Sequence, residues 1–299
     1  MSNPLPSLHT LYTRARIIQA VRAFFIDRGF LEVETPIRLP APALETYIDA
    51  IPAGKEWLRT SPELHMKRLL AAGAPNIFQL GSCFRLGERG RRHNEEFNLL
   101  EWYRIHADYH DILCDTRDLL VAVSQSVQGS PHVQYQGQPI DLAAPWHVLR
   151  VEEAFLRWAN WNPVTDWDAD RFDLDLVTCV EPNLPRDRPC VLIDYPAPAA
   201  ALSQLKPGDP RVAERWEVYL TGIELANAYT ELRDVDTQRL RFEHTARERT
   251  ALGKTVYPLD EDFLAALPDM PPCGGIALGI DRLVMLLTDA AELADVRIL

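Results

Sequence analysis

The sequence predicts an α+β domain, an antiparallel sheet flanked by helices, and three stretches carry that expectation. Asn76 to Asp108 reads as two strands joined by a polar, arginine-rich loop. In its second strand Phe97, Leu99, Glu101 and Tyr103 share one face and Leu100 and Trp102 the other. Leu8 to Arg28 spaces Leu11, Ala15, Ile18, Val21 and Phe25 as a helix does and stops at Gly29. Cys190 to Tyr195 (CVLIDY) is a continuous apolar run, as in a covered sheet.

The elements follow in order. GFLEVETP after the first helix alternates as a strand and ends at Pro36, which has no N–H for a central ladder and belongs at an edge or a subunit boundary. Ile37 to Arg59 is a loop with a short hairpin near Gly54. A helix then opens with Ser61 as N-cap, Pro62 at the first helical position and Glu63 in the first turn, and Gly73 lies past its end. A helix from Asp111 to Val127, a hairpin turn within Tyr135 to Ile140 and a short helix from Val151 to Trp158 come next. Asn160 to Arg188 is Asp- and Pro-rich and reads as irregular or short-helical. Val212 to Leu220 and Ile223 to Leu232 are strands around Thr221-Gly222, and a polar helix runs from near Asp234 or Asp236 to Gly253. Cys273 to Gly279 is a strand, followed by a tight turn and an apolar helix, Ile280 to Leu287, with Arg282 embedded in it.

The 299 residues, 47% hydrophobic and 25% charged, suit a soluble enzyme with a sizeable core. A formal charge of −12 disfavours wrapping a polyanion. The basic cluster Arg85, Arg89, Arg91, Arg92 and His93 is of a size to serve a triphosphate. Five scattered cysteines point to a reducing compartment, and the N-terminus lacks a leader pattern. A cytoplasmic protein with no membrane span is expected.

Three groups could carry chemistry. Arg85, Phe97 and the Glu101/Tyr103 pair would suit phosphate, base and ammonium held side by side; a hairpin with a solvated basic loop is the alternative. Glu224, Asn227 and Glu231 form the second group. Glu224 and Glu231 have opposite strand parity and share a face only if a bulge intervenes, placed around Asn227 and Ala228; solvent-facing acids on an edge strand are the alternative. The third group is GGIALGIDR, where Arg282 in an apolar helix needs a partner and a buried structural ion pair is the competing account.

Their order along the chain resembles a known family. Gly29 to Pro36, the FR with its arginine-rich loop and Phe97, and the glycine-rich stretch before Arg282 resemble the three motifs of class II aminoacyl-tRNA synthetases. TSPELHMKRLL, HNEEFNLLEWY, GIELANAYTEL and GIALGIDRLVML closely resemble the lysyl-tRNA synthetase catalytic domain, over about Thr10 to Asp295. A single catalytic domain spanning 1–299 without an anticodon-binding domain, with a surface insertion at about 129–188, is similar to the elongation factor P lysine ligase family. Ala277 stands where the lysyl synthetases have Gly, as in those ligases.

The resemblance implies ATP-dependent activation of lysine or (R)-β-lysine as an adenylate and transfer to a lysine of elongation factor P, by a homodimer using Mg2+. It implies ATP binding by Arg85, Glu88, His93, Asn94, Phe97, Glu224, Leu225, Gly279 and Arg282, with Arg85, Arg282 and Glu224 catalytic and Glu224 and Glu231 on the metal. Ser61, Pro62, Glu63, Glu101, Tyr103, Asn227, Glu231 and Ala277 would line the lysine pocket. The sequence departs from FRxE in having Gly87 at the acidic position and Glu88 after it. Two other functions stay open: a truncated synthetase charging tRNA or another carrier, and a non-catalytic amino-acid-binding regulator. The acidic surface and the missing domain speak against tRNA, and the presence of Arg85 and Arg282 against the regulator.

Overall fold

Ser7 opens the first helix, α1 (Leu8–Asp27), by accepting the Thr10 N–H at 3.0 Å, and Gly29 at φ 76° turns the chain out of it. The structure is a computed structural model that describes residues 5–298. The first four residues of the stretch read for a leader pattern, and Leu299, lie outside it.

The strand predicted in GFLEVETP is only β1 (Leu31–Glu32). Its continuation is lost because Arg59 Nη1 takes the Thr35 carbonyl at 2.8 Å and Pro36 has no N–H to offer. β2 (Arg38–Leu39), β3 (Pro52–Ala53) and β4 (Glu56–Leu58) make a small sheet that includes the hairpin at Gly54. The chain continues through α2 (Glu63–Ala71), β5 (Ile77–Phe84), β6 (Glu96–Ile105) and α3 (Tyr109–Gln128). α3 starts earlier than predicted because Asp108 caps it, accepting from the His110 and Asp111 N–H groups.

β7 (His132–Tyr135) and β8 (Gln138–Asp141) form the expected hairpin, with Gln136 and Gly137 both left-handed in the turn. β9 (His147–Arg150), α4 (Val151–Trp158), α5 (Ala169–Asp175), β10 (Cys190–Pro196), β11 (Leu205–Lys206), β12 (Asp209–Leu220) and β13 (Ile223–Thr230) follow. The last elements are α6 (Val235–Ala251), capped by Asp234, α7 (Glu261–Ala266), β14 (Cys273–Gly279) and α8 (Ile280–Thr288). The predicted tight turn before α8 is absent: Gly279 is at once the last strand residue and the helix N-cap, at φ −73°.

The main sheet runs β1-β5-β6-β14-β13-β12-β10-β9, with β11 beside β12. It is antiparallel from β5 to β10, with a parallel pair at each end. One face is covered by α1, α3 and α8. There Phe25 stacks on Phe78 at 4.8 Å and packs on Trp102 at 5.0 Å, among Val21, Leu119, Val123, Leu283 and Val284. Each such side chain contributes about 1.5–3 kcal/mol by leaving water. Within 129–188, β9 extends the sheet, and Phe155 and Phe172 stack at 4.8 Å in a cluster that includes Leu192 and Tyr219. That stretch thus builds one edge of the sheet as well as the β7–β8 hairpin.

Candidate active site

The other face of the sheet carries the chemistry, and its register aligns the residues in rows. One row reads Gln79, Glu101, Ala277, Asn227 and Glu217, and the next Ile77, Tyr103, Gly275, Tyr229 and Arg215. In the middle strand, β14, this face holds Cys273, Gly275, Ala277 and Gly279. Small residues there leave a trough between the taller side chains of β6 and β13.

β13 has the predicted bulge, but not at the predicted place. Val218 pairs with Ala226 and Tyr219 with Glu224, so the extra residue is Leu225, not Asn227 or Ala228. Leu225 and Ala226 both sink into the apolar core, and that shared burial sets the place of the bulge. Glu224 is thereby brought to the same face as Asn227, Tyr229 and Glu231. The Leu225 side chain lies in the core, so only its backbone is available to a ligand.

At one end of the trough α2 lays its first turn over β6. Ser61 Oγ donates to Glu101 Oε1 at 2.6 Å and accepts the Glu63 N–H at 3.0 Å, so the helix begins at Glu63, one residue later than predicted, with Pro62 preceding it. Tyr103 donates its hydroxyl proton to Glu101 Oε2 at 3.1 Å. Lys67, which the sequence reading missed, reaches Glu63 at 2.6 Å and Glu231 at 2.5 Å. Burial pushes the Glu101 carboxyl up to about 8, with Glu63 adding to it and Ser61 and Tyr103 opposing. Burial also raises Glu231, against the pull of Lys67. Asn227 donates to Tyr229 at 2.8 Å, leaving its buried Oδ1 without a partner. Ala277 lies between Glu101 and Asn227 on the floor.

At the other end stand the nucleotide candidates. Arg282 donates to the Glu224 carbonyl at 2.7 Å and to His93 Nε2 at 2.7 Å, and its nearest carboxylate oxygen is Glu224 Oε2 at 3.5 Å. An arginine has no acceptor, so Nε2 receives that bond and His93 is neutral. Burial, then Arg282, lowers the His93 pKa. Arg85 lies over the Phe97 ring at 4.9 Å and 3.6 Å from Glu88, which returns to it through Gly87 at φ 80°. Asn94 bonds the Glu96 carbonyl at 2.8 Å and braces the loop. Gly279 has only the Arg282 side chain near the place of a Cβ.

The metal assignment changes. Seven residues of extended strand at ~3.3 Å each put Glu224 and Glu231 about 20 Å apart, and Glu231 is engaged by Lys67, so one ion cannot take both. Glu217, paired with Asn227 across the Thr221-Gly222 hairpin, lies diagonal to Glu224, and Glu181 stands close to both. Burial and then Glu217 push the Glu224 carboxyl up. Glu217 is oriented by Arg215 at 2.7 Å and the Tyr219 hydroxyl at 2.6 Å. The hairpin register was the signal for it: with the Leu225 bulge, Glu217 and Glu224 fall on one face. Two hard oxygen donors beside two arginines fit Mg2+ with phosphates, and the buried, unpartnered Arg85 Nε and Asn227 Oδ1 fit a polar ligand in the trough.

A protein-family model described as tRNA synthetases class II (D, K and N) matches residues 6–299. Proteins named "Elongation factor P--(R)-beta-lysine ligase" are similar over 98% of this chain and 95% of their own length: 43% identical in Pectobacterium atrosepticum and 41% in Proteus mirabilis. That from Klebsiella pneumoniae is 42% identical over 99% of this chain. The chain therefore belongs to the class II tRNA synthetase (D, K and N) family, alongside the elongation factor P–(R)-β-lysine ligases.

Proposed function

We propose that this chain activates lysine or (R)-β-lysine with ATP and transfers it to a lysine side chain of elongation factor P. One observation carries the reading: acids suited to ammonium groups, Glu63, Glu101 and Glu231, and cations suited to phosphate, Arg85 and Arg282, flank a single trough floored by Gly275, Ala277 and Gly279. The names of the relatives supply the substrate and acceptor.

In the first step a carboxylate oxygen of the amino acid attacks the α-phosphorus of ATP and pyrophosphate leaves. No protein nucleophile is needed, so the site has to align the two and neutralise charge on the phosphate oxygens. Arg85 serves the α-phosphate and the amino-acid carboxylate, Phe97 offers a ring face to adenine, and Arg282 with His93 holds the phosphate tail. Glu217 and Glu224 would hold Mg2+, which neutralises phosphate charge when bound. In the second step the acceptor amine attacks the acyl carbon, AMP leaves with the acyl–phosphate bonding electrons, and the amine loses a proton.

A homodimer in the cytoplasm completes the reading. Leu8 and Tyr12 of α1, both more than 70% exposed, with Ile26 and Leu31, present an apolar face beside the sheet edge. No helix among the described residues is long and apolar enough to cross a membrane.

The test is ATP–pyrophosphate exchange with each lysine isomer and Mg2+, followed by a gel assay with labelled amino acid, elongation factor P and tRNA. Isomer-dependent exchange and label on the protein support the reading. Silence from a folded sample with every isomer removes the activation claim, and label on tRNA alone moves the function to a tRNA synthetase.

A further inference from the structure

Lys67 is an ammonium shut inside the protein, its side chain 1% exposed, on the α2 face turned to β6 and β13. One helical turn separates it from Glu63, and both carboxylates it touches belong to the amino-acid pocket. Burial favours the neutral amine, but Glu231 and Glu63 outweigh it and hold the group charged.

Resting on the ligase reading, we propose that Lys67 is a positioning and specificity residue that makes the pocket a site for a diammonium amino acid. The pocket has three acids, Glu63, Glu101 and Glu231, and one internal ammonium, so when all three ionise around a ligand two negative charges remain for that ligand to balance. A diamino acid supplies two ammonium groups, while its own carboxylate pairs with Arg85. A monoammonium analogue leaves one of the three acids either charged without a counter-ion or still protonated, and so forgoes one charge contact in a dry site. Lys67 also fixes geometry. It takes one oxygen of Glu63 and Oε2 of Glu231, leaving Glu231 Oε1 over the trough floor, where a Cβ on Gly275 would lie 2.2 Å from it.

The charge count makes a prediction that a merely structural lysine does not. E231Q leaves Glu63 and Glu101 against Lys67, one net charge, so selectivity for lysine over norleucine falls at least tenfold. Adding K67M restores two net charges and removes the buried Lys67–Glu231 pair as a unit, while Glu63, whose side chain is 15% exposed, keeps access to water. Preference for lysine over norleucine then recovers at least tenfold relative to E231Q. Binding of both amino acids is measured by calorimetry, with ATP affinity on the same samples as the control for folding. A double variant as unselective as E231Q, with ATP affinity intact, overturns the proposal. Wild-type protein that binds neither lysine isomer overturns it together with the ligase reading, whereas normal wild-type binding with no recovery overturns the Lys67 role alone.

Discussion

Gly275 lies directly beneath Glu231: a Cβ at 275 would stand 2.2 Å from Glu231 Oε1 and 2.4 Å from the Tyr103 ring. Glu231 is 1% and Tyr103 2% exposed, so both are buried where a Cβ at 275 would press on them. The absence of a side chain on β14 is thus what allows a carboxylate from β13 and a ring from β6 to meet over it. G275A is expected to destabilise the fold by about 1–3 kcal/mol, as overpacking does. It should raise the KM for lysine more than tenfold and leave ATP affinity near the wild-type value, measured by thermal unfolding and separate titrations. Unchanged lysine affinity would remove Glu231 from the pocket.

Glu101 sets the expected pH dependence. Its carboxyl is raised to about 8, chiefly by burial, above the ordinary value of 4.5, and Glu231 shifts the same way. Between those limits the folded, empty protein binds more protons than the unfolded chain, so stability falls as pH rises from about 5 to 8. Ammonium groups bind the ionised acids, so lysine binding expels protons and strengthens over the same window. Thermal unfolding with and without lysine should show the free protein losing stability toward pH 8 while the lysine-induced rise in Tm grows. A lysine effect that is flat with pH contradicts this account.

Glu217 and Glu224 are expected to act together on Mg2+. E217Q should lower the adenylation kcat about 10²–10³-fold, the scale of losing one transition-state charge contact, and raise the Mg2+ concentration for half-maximal rate. It also leaves the buried Arg215 without its 2.7 Å carboxylate partner, which costs about 1–3 kcal/mol of stability. E231Q should impair lysine binding with no change in the Mg2+ midpoint. Rates measured across a Mg2+ series separate the two, and an identical midpoint for E217Q and wild type returns the metal to other ligands.

Strand parity, helix spacing and turn residues made most of this fold legible, and the same signals explain what was not. Leu100 and Trp102 alternate against Glu101 and Tyr103 because one face of β6 meets α1 and the other the trough, a contrast written in residue type. Lys67 carries no such mark: on α2 it reads as an ordinary helix-surface cation, and only tertiary packing turns it inward. Glu217 was hidden for another reason. Its partnership with Glu224 depends on which residue of β13 bulges, and that was decided by the core's demand for both Leu225 and Ala226. The short β1 likewise reflects a distant side chain, Arg59, competing for the Thr35 carbonyl.

The apolar surface of α1 makes the last prediction. Leu8 is 74% and Tyr12 73% exposed, and Ile26, Leu31 and Ile37 extend the patch along the β1 edge and past its end. Scattered single apolar residues on a surface need no partner, but several along one helix and the adjoining sheet edge do. Sedimentation equilibrium is expected to give twice the 34.0 kDa chain mass. L8E/Y12E places two charges in the contact and should yield the single-chain mass, while L240E, on the exposed surface of α6, should leave the dimer intact. Arg14 of α1 reaches Asp281 of α8 at 2.6 Å, and Asp281 accepts the Asn98 N–H at 2.8 Å, on the strand that carries Phe97 and Glu101. Movement of α1 is therefore felt at the trough, and the monomeric variant should lose adenylation rate at least tenfold while keeping its fold. A monomer with full activity would uncouple the interface from the site.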